Sequence, residues 1–294
     1  MTNSSPSRPH PSQTALTAAA ARAAHLIVDR EPVIFADPLA ADLLGDRADE
    51  LISYHRLHGS HVVLASARAQ VTCRSRYTEL AVADALGRGV AQYVILGAGL
   101  DSFAYRGAIA GRLAVFEVDQ PATQDWKRQR LAEVGLTAPS NARFVPVDFE
   151  ADSLTSRLVR GGFDLTRPAV LSWLGVTMYL TDAAIGAVIG ELGRFASGTE
   201  LVLDYMLAAD LRDDIGNSYV EQVAPVAAQR GEPWLSFFSP PQMTALLNGH
   251  GFADVRHIAQ RDVGSDAMWC RSDALRPADL SKLAHARLPA RNGR

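Results

Sequence analysis

Gly97, Ala98 and Gly99 directly follow the apolar run 92–96 and give this chain its clearest chemical signal. Glycine permits positive φ and lets a ligand approach the backbone, because no Cβ stands in the way. In open α/β sheets the ligand lies just beyond the carboxyl end of such a first strand. The loop predicts a nucleotide-type cofactor site, although a tight turn in an unrelated α/β protein would use the same residue types.

Two further apolar runs end in acidic residues. Asp119 stands 22 positions after the first glycine of the loop, and a carboxylate there can accept hydrogen bonds from both hydroxyls of an adenosine ribose. We expect Asp119 and its neighbour Gln120 to bind the cofactor, although Asp119 could also cap the helix that begins near Pro121. Asp148 follows the third run, where it could accept from the adenine amino group while Phe149 packs on the ring.

The glycine loop suits S-adenosylmethionine better than NAD. A dinucleotide fingerprint requires glycine or alanine where this chain has Ser102. A pyrophosphate would also lie beside Asp101, and the negative charges would repel, whereas a sulfonium or amino group tolerates a carboxylate. We therefore predict S-adenosylmethionine as the cofactor.

Short apolar runs alternate with helical segments from residue 91 onward, notably the helical stretches 122–134 and 182–195. The predicted strands span residues 92–96, 113–118, 143–147, 169–174 and 201–205, with weaker candidates at 254–258 and 267–271. Near-continuous apolar strands separated by helices are typical of a parallel sheet covered on both faces. The predicted fold class is α/β: a doubly wound, mostly parallel, seven-stranded Rossmann-like sheet.

The 294 residues are predicted to form a single domain behind a disordered tail. Within the domain, an N-terminal helical cap contains a helix from Asp37-Pro38 to residue 44, and an insertion after the fifth strand either covers the active site or is an ordinary surface excursion. The predicted parts are a tail 1–14, a helical cap 15–90, a cofactor-binding core 91–205, an insertion 206–241 and a C-terminal part of the core 242–294.

Composition excludes several classes of protein. Hydrophobic residues make up 48% and charged residues 21%, which is ordinary for a globular enzyme, and a net charge of −3 favours neither nucleic acid nor a membrane as partner. Cys73 and Cys270 have no metal-type spacing and suit a reducing compartment. The N-terminus lacks the apolar run of a secretory signal, and the stretch 15–28 is too short and too charged to span a membrane. We expect a cytoplasmic protein.

The motifs together resemble the leucine carboxyl methyltransferase-like family, in particular its bacterial branch of small-molecule and polyketide O-methyltransferases. The resemblance covers residues 14–271 and rests on the order and spacing of seven motifs: TALTAAAARA, FADPLA, RSRY, VILGAGLDSFAYR, VFEVDQP, PVDFE and SWLGVTMYLT. It implies a methyltransferase that depends on S-adenosylmethionine, built on the predicted sheet. Gly97, Gly99 and Asp119 match its glycine loop and ribose acceptor, and Asp148 with Phe149 matches its adenine site.

The resemblance also implies that an arginine of the RSRY motif holds the methionine carboxylate of the cofactor. Arg74 aligns best and Arg76 is the rival, while Arg22 of the first helix could assist. A guanidinium suits this task because it can bind a carboxylate bidentately. Some relatives carry a glutamate after the fourth strand where this chain reads Trp173-Leu174-Gly175, so any polar contact made by that glutamate is missing here.

Tyr179, in the VTMYL segment after the fourth strand, is the first candidate for catalysis because it should lie where the pocket opens beside the methyl group. His61 is a weaker candidate for a general base, which a hydroxyl acceptor would need and a carboxylate would not. No metal ligands are predicted, since His55, His58 and His61 lack an acidic partner. Four aromatic residues could line an apolar pocket, although each is individually more often a core residue: Trp173, Tyr205, Trp234 and Phe237.

The predicted function is transfer of a methyl group from S-adenosylmethionine to a hydroxyl or carboxyl of a small, polyketide-like metabolite or a peptide. Holding nucleophile, methyl and sulfur in line is the main contribution expected of such an enzyme. The alternatives are an NAD-dependent reductase of Rossmann type and a non-catalytic module that binds S-adenosylmethionine. Neither the acceptor nor the oligomeric state can be read from the sequence.

Overall fold

A seven-stranded sheet forms the centre of the computed structural model, which describes residues 12–148 and 152–290. Its strands, numbered along the chain, are β1 Gln92–Leu96, β2 Ala114–Asp119, β3 Ala142–Pro146, β4 Val170–Trp173, β5 Glu200–Met206, β6 Ala253–Ile258 and β7 Ser281–Arg287. Their order across the sheet is β3-β2-β1-β4-β5-β7-β6. The first five strands are parallel, and β7 is antiparallel to both β5 and β6. The predicted doubly wound, mostly parallel α/β sheet is confirmed.

The central strands β1, β4 and β5 are buried along their whole length. Such strands read as continuous apolar runs because helices cover both faces of the sheet. Six of the seven predicted strands lie within one residue of the observed bounds.

Helices pack on both faces of the sheet. In the described residues they are α1 Gln13–Val28, α2 Ala40–Leu44, α3 Ala48–His58, α4 Val62–Gly87, α5 Gly107–Ala110, α6 Pro121–Glu133, α7 Leu154–Arg160, α8 Asp182–Leu192, α9 Asp214–Gln229, α10 Pro240–Gly249 and α11 Asp266–Trp269. Helices α7, α8 and α10 share the main core with the strands. The carboxyl half of α4 and the short helix α5 pack on the opposite face, where they contact β1 and β2.

The strand predicted at residues 267–271 is wrong. This stretch is the helical turn α11, and its Met268 packs against Ile34 and Cys73 in a separate small core. The strand that completes the sheet is β7, which lies farther along the chain. Strand β7 was not predicted because Lys282 and His285 interrupt its apolar pattern.

The helical cap differs from prediction at two boundaries. Helix α1 begins at Gln13 with the Ser12 side chain as its N-cap, so the predicted tail extends too far, and residues 1–11 lie outside the described part. Helix α2 begins at Ala40 and not at Pro38. The Asp37 carboxylate does accept the Leu39 N–H at 3.2 Å, but Asp37 lies in the turn before the helix and is almost completely buried.

The segment 206–241 leaves the sheet after β5 and returns beside it. It contains α9, which packs against α4, and a bridge that pairs Leu207 with Phe238. No helix within residues 12–148 and 152–290 combines the length and the apolar character needed to cross a bilayer.

Candidate active site

The glycine loop turns away from the carboxyl end of β1 in a conformation that requires glycine. Gly97 has φ +66° and Gly99 has φ +47°. A Cβ on Gly97 would lie 2.4 Å from Cγ2 of Val176, and a Cβ on Gly99 would lie 3.2 Å from Cβ of Ala15. The N–H of Ala98 donates to the Val118 carbonyl at 3.0 Å. The loop therefore lies between the start of α1 and the segment that follows β4.

Asp119 contacts this loop from the end of β2. One carboxylate oxygen accepts the Gly99 N–H at 2.6 Å and the other accepts the Gln120 N–H at 2.7 Å. Burial raises the pKa of the Asp119 carboxyl, and these two backbone hydrogen bonds oppose that effect. A carboxylate has about four acceptor positions, so Asp119 can still accept hydroxyl groups from a ligand. The Gln120 side chain is exposed at the N-cap of α6.

The predicted adenine site is described only in part. Asp148 is exposed after β3, and its N–H donates to the Asp152 carboxylate at 2.9 Å. Phe149 lies outside the described residues, so its predicted contact with the adenine ring stays a prediction.

Arg74 is the arginine of the RSRY motif that reaches the carboxyl edge of the sheet. Its Nη1 donates to Oδ2 of Asp204 at 2.9 Å. Its guanidinium also lies against Gly175, where a Cβ would come within 2.6 Å of Nη2. The rival Arg76 instead donates from Nη1 to the Ile34 carbonyl at 3.0 Å. Of the two arginines, Arg74 is the one beside the loop that follows β4.

Arg22 makes contacts that hold α1 against the rest of the cap. Its Nε donates to Asp37 at 2.9 Å, and its Nη2 donates to the Leu100 carbonyl at 2.7 Å. Ser102 and Arg106 also bind the Asp37 carboxylate. Burial raises the pKa of Asp37, but the two guanidinium groups and the Ser102 hydroxyl outweigh it and hold that pKa below its usual range. Arg22 therefore fixes α1 to the segment after the glycine loop, and its assisting role toward the cofactor stays a prediction.

Asp204 is a site residue that the sequence reasoning missed. It lies on β5 with only 2% of its side chain exposed, and it pairs with Arg74. Its Oδ1 accepts the Gly175 N–H at 2.6 Å, and its main-chain carbonyl accepts the Thr177 hydroxyl at 2.6 Å. The signal was present, because Asp204 is the one charged residue in the run 201–206.

Tyr179 ends a tight helical turn, Thr177–Tyr179, after β4. Its hydroxyl lies 3.2 Å from Oγ1 of Thr14, which in turn bonds to the Glu232 carboxylate. The Ser12 hydroxyl donates to the other oxygen of Glu232 at 2.6 Å. Burial raises the pKa of Tyr179, so its phenol stays protonated at neutral pH. The start of α1 and the segment 206–241 thus meet beside Tyr179.

The remaining aromatic candidates lie in two places: two are in the main core, and two pack beside Tyr179. Trp234 and Phe237 pack with Tyr179 and Tyr219, and the rings of Tyr219 and Trp234 stack with centroids 6.3 Å apart. Trp173 is completely buried in the main core, which agrees with the core alternative for this residue. Tyr205 is also a core residue, and its hydroxyl lies 2.8 Å from Nδ1 of His257.

His61 is an exposed residue that caps α4. Its Nδ1 accepts the Val63 N–H at 3.3 Å, and this contact gives the ring a structural role. The described contacts of Tyr179 are with Thr14 and the aromatic cluster, and His61 is not among them. Within the described ranges, no group of three or more His, Cys, Asp or Glu side chains is arranged to hold a metal ion.

A cavity of about 420 Å³ lies at the opposite edge of the sheet. Its lining includes Arg112, Asn141 and Arg143, which surround the amino ends of β2 and β3. The glycine loop, Asp119 and Asp204 are all at the carboxyl edge, so this cavity is separate from the candidate active site.

Comparison with known proteins identifies the family of the chain. The model of the family described as leucine carboxyl methyltransferase matches residues 15–193. YktD of Bacillus subtilis, provisionally named as an S-adenosylmethionine-dependent methyltransferase, is 32% identical over 297 residues, which cover 94% of this chain and 97% of YktD. A protein of Mycobacterium ulcerans with the same provisional name is 32% identical over 202 residues, 66% of this chain and 65% of that protein.

Two solved structures share the fold. A crystal structure from Thermobifida fusca, provisionally named as a methyltransferase, has a TM-score of 0.59 at 16% identity and covers 97% of both chains. A DUF574 family protein from Streptomyces avermitilis has a TM-score of 0.55 at 19% identity and covers 92% of this chain and 97% of that chain. The family match and the YktD alignment together mean that the chain belongs to the leucine carboxyl methyltransferase family of S-adenosylmethionine-dependent methyltransferases, which confirms the predicted family and cofactor.

Proposed function

We propose that this enzyme methylates a hydroxyl or carboxyl oxygen of a small, polyketide-like metabolite or a peptide. The observation that carries the proposal is that one short segment, residues 175–179, contacts Arg74 at one end and presents Tyr179 at the other. Cofactor and acceptor would therefore be held by the same piece of backbone. The buried thiol Cys73 and the exposed thiol Cys270 are both free, which supports the further proposal of a reducing, cytoplasmic setting.

The proposed cofactor site runs along the carboxyl edge of the sheet. Gly97, Ala98 and Gly99 would lie beneath the ligand, with Asp119 accepting the ribose hydroxyls and Gln120 next to it. Arg74 would bind the methionine carboxylate. The residues fit this ligand because Gly97 and Gly99 hold the loop after β1 in a positive-φ conformation, and because the donors and acceptors match the polar groups of the ligand.

The part of this site that would bind adenine is proposed mainly from the sequence. Asp148 is exposed beyond β3 and would accept the amino group, and Phe149 would pack on the ring. Arg22 would contribute indirectly, because its bond to the Leu100 carbonyl fixes the segment after the glycine loop.

S-adenosylmethionine would supply an electrophilic methyl group, whose in-line transfer to oxygen forms a C–O bond, breaks the C–S bond and releases S-adenosylhomocysteine. The task of the protein is to orient the acceptor oxygen. Tyr179 suits this task because its protonated phenol can donate a hydrogen bond to that oxygen. The stacked rings of Tyr219 and Trp234 would cover an apolar or aromatic acceptor. A carboxylate acceptor needs no base, whereas for a hydroxyl acceptor His61 stays the candidate from sequence, although its present contact is the cap of α4.

The test is a panel of acceptors incubated with the enzyme and methyl-labelled cofactor, followed by identification of the methylated atom. The panel should contain phenols, alcohols, carboxylic acids and short peptides, with amines and carbon nucleophiles for comparison. Methylation of oxygen is expected. Methylation of nitrogen or carbon only would overturn the proposal, and cofactor binding without any turnover would favour a non-catalytic binding module.

Replacing Tyr179 with phenylalanine is expected to lower kcat about tenfold with the identified acceptor, because one hydrogen bond worth ~1.4 kcal/mol to the reacting oxygen is lost. The affinity for S-adenosylhomocysteine should stay unchanged. Tyr205→Phe is the matched control, since this hydroxyl bonds to His257 in the core. Equal losses of kcat in the two variants would show that Tyr179 acts through stability alone.

Replacing Gly175 with alanine is expected to weaken S-adenosylhomocysteine binding about tenfold, because the new Cβ would collide with the Arg74 guanidinium. Positive φ adds ~1–2 kcal/mol of backbone strain. Gly135→Ala is a close control: Gly135 has φ +72° against +73° for Gly175, and nothing lies within 4 Å of its Cβ position. Both variants should lose thermal stability through backbone strain, Gly175→Ala more because of the collision, and only Gly175→Ala should lose affinity in calorimetry.

A further inference from the structure

Asp204 connects two elements of the candidate active site, helix α4 through Arg74 and the loop after β4 through Gly175. Its carboxylate is almost completely buried and accepts two hydrogen bonds, one from Nη1 of Arg74 at 2.9 Å and one from the Gly175 N–H at 2.6 Å. The first donor belongs to α4 and the second to the loop after β4. No other described carboxylate bonds to both Arg74 and this loop.

We propose that Asp204 is a positioning residue that fixes the Arg74 guanidinium for the carboxylate of the cofactor. This inference rests on the proposed function, because it requires Arg74 to bind that carboxylate. Asp204 itself would not touch the ligand, and its effect would pass through the orientation of Arg74.

The geometry supports this role because a guanidinium is planar and has five N–H donors. Nη1 of Arg74 donates to Asp204, and the Cβ position of Gly175 lies only 2.6 Å from Nη2 and 3.0 Å from Cζ of the guanidinium. The hydrogen bond and the close backbone together restrict rotation of the guanidinium. A donor fixed before binding loses less conformational entropy when the ligand arrives.

An asparagine at position 204 keeps the shape of the side chain but has a single acceptor oxygen. Either Arg74 or the Gly175 N–H would then face an amide NH₂ group, which is a donor, so one of the two hydrogen bonds must be lost. The change also removes a negative charge near the ligand. The amino acid part of the cofactor is a zwitterion, so the loss of this charge has opposing effects on its two groups, and we expect the loss of orientation to dominate.

The main chain of Asp204 also bonds to the turn that carries Tyr179, which lies on the proposed acceptor side of the site. Its carbonyl accepts the Thr177 hydroxyl at 2.6 Å, and the Thr177 carbonyl accepts the Ser236 hydroxyl at 2.9 Å. These bonds connect β5 with the turn that carries Tyr179 and then with the segment 206–241. Because the Asp204 carbonyl survives substitution of the side chain, Asp204→Asn should perturb the cofactor side more than the acceptor side.

The experiment compares two ligands that differ at the group in question, S-adenosylhomocysteine and 5′-methylthioadenosine, which lacks the amino acid part. Calorimetry on the Asp204→Asn enzyme should give about tenfold weaker binding of the first ligand and unchanged binding of the second. Glu200→Gln is the matched control, because Glu200 is buried on the same strand and pairs with Arg88 and His285. This variant should lose stability without loss of affinity for either ligand.

A double-mutant cycle with Arg74→Lys shows whether Asp204 acts through Arg74 or independently of it. If Asp204 acts through Arg74, the effect of Asp204→Asn on S-adenosylhomocysteine binding should shrink to less than threefold in the Arg74→Lys background. An equal loss for both ligands, no loss for either, or full additivity with Arg74→Lys would each overturn the inference. If the wild-type enzyme binds S-adenosylhomocysteine but Arg74→Lys leaves that affinity intact, the proposed role of Arg74 fails, and this inference fails with it.

Discussion

Arg74→Lys is expected to weaken S-adenosylhomocysteine binding about 100-fold. A bidentate guanidinium–carboxylate pair would be replaced by a single ammonium group, which would have to serve both Asp204 and the ligand. A 100-fold loss corresponds to ~2.8 kcal/mol. Isothermal titration calorimetry gives this affinity directly, and thermal unfolding shows whether the variant remains folded.

Arg76→Lys is the control for this prediction because it is the rival arginine of the same motif. Its guanidinium donates to the Ile34 carbonyl and lies away from the candidate site, so its replacement should leave the affinity within about twofold. Binding of 5′-methylthioadenosine should be unchanged in both variants. The reverse pattern, with the loss in Arg76→Lys, would assign the carboxylate to Arg76 instead.

Asp119→Ala is expected to weaken S-adenosylhomocysteine binding about 30-fold, which corresponds to ~2 kcal/mol, because two hydrogen bonds from the ribose to a carboxylate would be lost. The ribose is common to both ligands, so 5′-methylthioadenosine should lose the same factor. This shared loss distinguishes Asp119 from Arg74, whose replacement should affect only the ligand that carries the amino acid part.

Asp119 also accepts the N–H groups of Gly99 and Gln120, so its replacement could loosen the glycine loop. Asp119→Asn keeps the shape and one acceptor oxygen, and it should lie between the wild type and the alanine variant in affinity. Asp125→Ala removes an exposed carboxylate from α6 and controls for net charge. Unchanged affinity in Asp119→Ala would mean that another acid accepts the ribose.

The sheet and the glycine loop were predictable because their signals are local. The apolar run before Gly97 and the acidic residue that ends β2 lie within about two dozen residues of each other. Most strands can be recognised from the apolar composition of their own residues. The family motifs extended this prediction to the cofactor. Strand β7 was missed because its polar residues are satisfied at long range: Nε2 of His285 lies 3.0 Å from the Glu200 carboxylate, 85 positions earlier.

The surroundings of Tyr179 depend on contacts that no local pattern contains. Thr14 and Glu232 are 218 positions apart, yet they meet beside Tyr179. Asp204 was overlooked for the same reason, since its partner Arg74 lies 130 positions away. Aromatic residues such as Trp173 and Trp234 look alike in sequence, and only the packing separates the one in the core from the one beside Tyr179.

We propose that the carboxyl edge of this sheet binds S-adenosylmethionine through Arg74 and Asp119. Calorimetric titration of the wild-type enzyme with S-adenosylhomocysteine, and with NAD in parallel, tests that claim most directly. One-to-one binding of S-adenosylhomocysteine in the micromolar range, with no heat from NAD, is the predicted result. Binding of NAD alone would contradict the account.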